Sequence, residues 1–340
     1  MPSDIEQKAA DTVANSANAD AIDAVSHTIL PEIRELAEKS FIERFMAWII
    51  LIVVGGVWGV TFSLAKLATE TGAHPLGVSF WQSLIGSGIL IIYCLVFRQK
   101  IPLNRSNLLF YAVCALTGSA IPNTLYFYAA PHVSAGVLSI TVAMVPIMTY
   151  VGAAAMRFEK FMIRRIVGVV CGLSAVLLLV SPDDALANPG SVIWVLAALI
   201  SAACYATENM VVAIAMPSNA NSATVLTGMF IFASFVLAPF VVYTDSFVPL
   251  AWPWTVVEWS IIAMALISVI SYGFFIHLIQ IAGPVFASQM AYVVTLSGVF
   301  WGVVIYSEEH SHWIWIALAV MMTGLFLVAP KKREEIEDVE

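Results

Sequence analysis

Charge is what this sequence has least of. Asp, Glu, Lys and Arg make up 11% of the 340 residues, against roughly 25% in soluble domains. So few charges cannot cover a water-facing surface, and a soluble globule is excluded. Cysteine is scarce as well. Cys94, Cys114, Cys171 and Cys204 each lie inside an apolar run, with no CxxC spacing, so they read as small apolar packing residues rather than a disulfide framework or a metal site. There is no Walker-type glycine loop, which removes ATP as a direct energy source for this chain. The N-terminal stretch lacks a basic region followed by a short apolar core and is not expected to be a cleavable signal peptide. The net charge of -8 comes from acids crowded into residues 1–45 and 334–340. It therefore points to no basic partner, and no nucleic acid is expected.

What the chain has is apolar length. Hydrophobic residues are 60% of it and the mean hydropathy is +0.90. Crossing a hydrocarbon core of about 30 Å takes roughly 20 helical residues. Ten segments qualify, at about 46–67, 78–97, 107–130, 133–156, 163–181, 192–214, 222–243, 256–280, 285–306 and 312–329. The runs are continuously apolar rather than alternating, and a backbone in lipid must satisfy its own hydrogen bonds, so the spans are helices and not strands. Residues 1–29 read as a disordered polar tail. In 30–45, Ile33, Leu36, Ala37, Phe41 and Phe45 fall at helical spacing opposite Glu35, Glu38, Lys39 and Glu43, the pattern of an amphipathic helix lying on the membrane surface. Residues 330–340 form a charged tail.

The chain also echoes itself. Pro131, an apolar run to Met156, Glu159 and a second run to Val180 recur about 150 positions later as Pro284, a run to Tyr306, Glu308-Glu309 and a run to Ala329, which makes 46–181 and 192–329 two copies of one unit. With the N-terminus in the cytoplasm, all of the 15 Lys and Arg residues except Lys66 fall on the cytoplasmic side. The positive-inside rule then puts both termini there. Because each copy has five spans, the second is upside down relative to the first. Inverted repeats of this kind place a binding cavity near the bilayer midplane. The expected fold is thus an all-α membrane protein of ten transmembrane helices in two inverted five-helix repeats, sitting in the cytoplasmic (inner) membrane.

The layout resembles the ten-helix, EamA-like members of the drug/metabolite transporter superfamily over about residues 46–329. The resemblance is carried by Trp58-Gly59 and Phe62, Pro75, Pro146 followed by Glu159, Gly168 and Gly172, and, more loosely, by Tyr205, Glu308 or Glu309, and Gly324. Two positions depart from the family pattern. Phe80-Trp81-Gln82 has Gln where relatives often carry Arg, and Thr295 or Leu296 stands where the first copy has Pro146. The resemblance implies transport of a small metabolite, commonly outward, with no cofactor and no enzyme activity.

Two charged side chains sit well within spans, and intramembrane charge is a functional candidate by default. Lys66 lies about 30 Å along its helix and is expected to snorkel to the outer interface. Glu208 lies roughly 24 Å deep and cannot snorkel on two methylenes. It either faces an aqueous cavity, binding a cationic group or exchanging a proton, or it bonds a neighbouring span. Nearer mid-depth, Trp58, Thr141, Tyr205, Ser271, Tyr272 and Tyr292, with Ser139 and Ser201, suit a cavity holding a small polar solute against aromatic walls; each could equally bond between helices. Asn123 with Pro122, and His277 with Gln280, lie toward opposite ends of the matching third spans. The expected substrate-binding set is Trp58, Asn123, Thr141, Tyr205, Glu208, Ser271, Tyr272 and Tyr292, with Lys66, Gln82 and His277 as gating or coupling residues. His310 and His312 beside Glu308 and Glu309 have the look of a metal cluster, but short loops gather polar residues anyway and no metal is expected. The pairs Gly55/Gly59, Gly168/Gly172 and Gly298/Gly302 allow close packing within the chain or, alternatively, a dimer face, leaving monomer and homodimer both open. Pro122, Pro146 and Pro239 are expected to bend their spans. The function expected is secondary transport of a small, amino-acid-like or otherwise amphipathic metabolite, directed outward; the alternative is a membrane scaffold or receptor without transport.

Overall fold

The computed structural model of the protein describes residues 45–158, 161–180, 189–288 and 290–328. Most of the expected interfacial helix, both tails, Glu159 and the side chain of Gln280 lie outside the described residues. Residues 1–49 separate as one unit, of which the described part, 45–49, is helical; residues 50–340 form the other.

The described residues are helical and contain no strand, as the unbroken apolar runs require. The helices are α1 (Phe45–Glu70), α2 (Pro75–Val96), α3 (Arg105–Ala129), α4 (Ala135–Ala155), α5 (Ile163–Val180), α6 (Val192–Ala215), α7 (Ser222–Tyr243), α8 (Val256–Ser288), α9 (Met290–Tyr306) and α10 (His312–Val328). By length and composition α1–α4 and α6–α8 can each cross a membrane; α9 and α10 are shorter apolar helices. Large apolar side chains such as Leu95, Phe235, Val242 and Phe326 point outward, exposed, which in an all-α membrane protein is the lipid-facing surface.

Helix starts are written in side chains that accept from orphan backbone N–H groups, a need sharpened where water is scarce. Asn104 accepts from the amide of Asn107, Ser134 from that of Val137, and Asn221 forms a reciprocal capping box with Thr224. Helix ends repeat in the two copies. Four non-glycine residues adopt left-handed backbone, Arg98, Arg157, Asp245 and Ser307, and they follow α2, α4, α7 and α9, which are equivalent helices of the two repeats.

Proline explains the irregular spans. Pro122 has no N–H to give the carbonyl of Gly118, and α3 there widens into a π-helical segment, Leu116–Ala120. Pro146 deprives the carbonyl of Val142 in the same way, and α4 breaks at Ala143, immediately after it. The helix α7 runs on through Pro239. A further turn interrupts α1 at Gly59.

The two repeats pack against each other helix for helix. Equivalent helices pair directly, α2 with α7, α4 with α9 and α5 with α10, while α1 packs on α8 and α3 on α6. Exchanging the repeats converts the α1–α8 pair into α6–α3, so the arrangement has a two-fold axis, as inverted copies require. The close pairs use the glycines. A Cβ on Gly59 would fall on Ser297 and the backbone of α9, and one on Gly168 would fall on the carbonyl of Gly324. The three glycine pairs therefore serve contacts inside the chain. Ser139 and Thr295 each donate a hydroxyl to the other's carbonyl, at 3.1 and 3.3 Å, across the α4–α9 crossing.

Candidate functional site

Between the repeats lies a cavity of about 490 Å³. Proline and π-helical breaks in α3 and α4 keep those helices from packing as straight rods, and residues of α1, α2 and α5–α10 complete the wall. On α4 the lining positions Leu138, Val142, Val145, Thr149 and Ala153 follow one helical stripe, and on α8 the stripe is Met264, Ser268, Tyr272 and Phe275.

Of the residues picked out from sequence, Trp58, Gln82, Asn123, Tyr205, Glu208, Tyr272 and Tyr292 lie on this wall. Three do not. Thr141 lies off the α4 stripe, is buried, and meets the hydroxyl of Tyr126 at 3.1 Å. Ser271 is buried one position off the α8 stripe, and His277 is exposed on the same helix. Position along a helix sets depth while a 100° step per residue sets facing, so a residue can lie within a span and off the wall.

Lys66 also departs from expectation. Rather than snorkelling, its ammonium is held inside the protein, 3.3 Å from Oε1 of Glu308, 3.5 Å from the carbonyl oxygen of Val133 and 5.1 Å from the ring centre of Tyr306. His310 Nε2 lies 3.5 Å from the other oxygen of Glu308. Burial pushes the imidazole of His310 below its ordinary value. Among the described residues no three His, Cys, Asp or Glu side chains gather in a way that could hold a metal ion.

The wall carries two charged residues among those described, Glu208 and Arg165. Glu208 is 2% exposed, and Tyr272 donates its hydroxyl to Oε2 at 2.7 Å. The π segment brings Gly118 against the same carboxyl group, so closely that a Cβ there would stand 2.3 Å from Cδ. The local backbone irregularity thus makes room for the acid. Around it Trp58 meets Tyr272 edge-on at 5.7 Å and Phe275 at 6.3 Å, and Tyr126 stacks on Tyr205 at 6.1 Å.

A polar network closes the wall between α2, α3, α6 and α8. Tyr205 donates to the side-chain oxygen of Asn123, whose amide donates to Gln82 at 3.1 Å, and Gln82 donates to Ser268 at 2.9 Å. Ser201 instead donates to the carbonyl of Pro122 at 2.9 Å, an interhelical bond.

Arg165, Tyr126, Phe275 and Ser268 were not singled out from sequence. Arg165 belongs to the cationic run before α5 and reads there as an orientation signal; in the fold it is 4% exposed, on the first turns of α5, with its guanidinium 5.1 Å from the ring centre of Tyr150. Ser268 and Phe275 share the α8 stripe of Tyr272, and Tyr126 lies one turn from Asn123 on α3, a pattern visible only once one wall residue on each helix is fixed.

Comparison with known proteins agrees with this arrangement. The profile of the EamA-like transporter family matches the sequence twice, over residues 46–181 and 192–329. No curated protein matches the chain. A solved crystal structure is similar at a TM-score of 0.55, with 18% sequence identity, covering 83% of this chain and 97% of its own; at that identity the likeness is one of fold.

Proposed function

The chain belongs to the EamA-like transporter family, a family of membrane transporters and not of enzymes, and from that premise we propose that it is a secondary transporter exporting a small amphipathic, amino-acid-like metabolite by alternating access. On this reading it sits in the inner membrane with both termini in the cytoplasm. The observation that carries it is Glu208, a carboxylate buried in the wall of the cavity between the inverted repeats, with Tyr272 as its hydrogen-bond partner. An acid in a bilayer costs about 2.5–3.5 kcal/mol on insertion scales, and a site facing solute is one that uses it. Arg165 supplies the opposite charge on the same wall, and the aromatic side chains between offer an apolar surface. One acid, one base and an aromatic lining fit a solute bearing an amine, an acid and an apolar group.

The test is counterflow. Liposomes containing the purified chain and preloaded with a mixture of unlabelled amino acids are expected to take up at least one labelled amino acid saturably, faster than protein-free liposomes. A flat response across amino acids and other small metabolites would count for a scaffold or receptor instead.

A further inference from the structure

A carboxylate outside the cavity wall, that of Glu308, sits at the start of α4. Glu308 lies just after α9, in the second repeat, yet apart from His310 its partners are in the first. Oε1 accepts from the amide of Ala135 at 2.8 Å and Oε2 from that of Gly136 at 3.3 Å, the two N–H groups that open α4. Oε1 also takes the ammonium of Lys66, on α1, at 3.3 Å. The carboxylate is 8% exposed and the lysine 14%, so both have given up water, and the charge is balanced by the cation and by the positive end of the α4 dipole. Lys66 keeps a second, more exposed acid, Glu70, at 3.7 Å.

The location of this junction gives it a consequence. Ala65, next to Lys66, and Leu138, one turn beyond Ala135, are on the cavity wall. At the other end the wall reaches Arg165, Tyr150 and Val328, where α4 ends and α5 begins. Three helices, α1, α4 and α9, converge over Ala65 and Leu138, and the space between them is too tight for even a methyl group. A Cβ on Gly136 would fall on His310, and one on Gly302 would stand 2.5 Å from Glu308 itself.

We propose that Glu308 is a latch, joining α1, α4 and α9 through Lys66, Ala135 and Gly136 so that the cavity is shut at the Lys66 end. The proposal rests on the alternating-access reading given above. For solute to leave at that end, α4 must part from α9, and Glu308 must give up two backbone donors or its lysine. Breaking the latch therefore shifts the balance of states toward one open at the Lys66 end, as any change that weakens one state's contacts alone must.

Side-specific labelling tests this without reference to a substrate. A cysteine is placed at Ala65 (A65C) in the full-length chain in sealed, orientation-sorted vesicles, and a membrane-impermeant maleimide is applied from one side at a time. Protein without A65C gives the background from the native cysteines. With Glu308 intact, labelling of A65C from the Lys66 side is expected to stay near background. With Glu308→Gln it is expected to rise about tenfold, the effect of ~1.4 kcal/mol on the equilibrium, with no comparable rise from the Arg165 side. An unchanged Lys66-side rate overturns the latch, and so does an equal rise from both sides, which reports general loosening. Should Glu308→Gln fail to fold, Lys66→Met leaves the α4 cap in place and decides the matter by the same readout. A latch that responds in a protein giving no counterflow would sink the transport reading and not the latch; normal counterflow with an unresponsive latch would do the reverse.

Discussion

Glu208→Gln is expected to slow saturable counterflow by about 10- to 100-fold while the protein still purifies as a monodisperse species. The amide is isosteric with the carboxylate, and its oxygen can still accept from Tyr272, which now bonds Oε2 at 2.7 Å. What is lost is the ability to carry a charge. A hydrogen bond to a charged group is worth about 1.5–3 kcal/mol, and each 1.36 kcal/mol is a factor of ten, which sets the range. A companion variant separates charge from position. The Cβ of Gly118→Ala would stand 2.3 Å from Cδ of Glu208, so the carboxyl must swing away from Tyr272 while staying ionisable. Gly118→Ala is expected to impair counterflow in the same direction, and the double variant to fall little below Glu208→Gln alone, because both act on one group. Unaltered initial rates in Glu208→Gln would reduce Glu208 to an interhelical bond.

The contrast between Glu208 and its neighbours shows what a sequence of this kind reveals. Helical spans are legible because apolar length answers to a fixed bilayer thickness, and the duplication is legible because Pro131 and Pro284, and Glu159 and Glu308, recur at nearly the same distance, about 150 positions. Glu208 stands out because an acid in lipid is too costly to be incidental. Thr141, Ser271 and His277 carry no such cost, so their presence within spans leaves open which way each faces, and the fold turns them away from the cavity. Arg165 was hidden by company, next to Arg164 in a stretch where cations are expected. Lys66 stands alone in the sequence because its partner Glu308 lies 242 positions further on. The left-handed turns after α2, α4, α7 and α9 fall on Arg98, Arg157, Asp245 and Ser307, none of them the glycine that normally announces such a turn. Their symmetry is a property of the fold and not of the residue types.

Gly324→Val and Gly168→Val are each expected to lower the melting temperature in detergent sharply, at a cost of about 1–3 kcal/mol. The helices α5 and α10 meet backbone to backbone. A Cβ on Gly168 would stand 2.6 Å from the carbonyl oxygen of Gly324, and one on Gly324 would stand 2.7 Å from the carbonyl oxygen of Gly168. Side-chain tips can rotate from such an encounter; main-chain oxygens inside a helix cannot, so the axes must separate. In lipid no hydrophobic gain favours the pair over its separated state, and association depends on close packing, so a gap is felt in full. Gly88→Ala supplies the comparison: nothing lies within 4 Å of the added Cβ, and with alanine the better helix former the melting temperature is expected to hold or rise slightly. The effect should also reach transport, since α5 carries Arg165 and α10 carries Leu325 and Val328 to the cavity wall, and helices pushed apart withdraw those side chains from it. Melting temperatures of Gly168→Val and Gly324→Val equal to that of Gly88→Ala would mean that α5 and α10 are not in contact in the membrane.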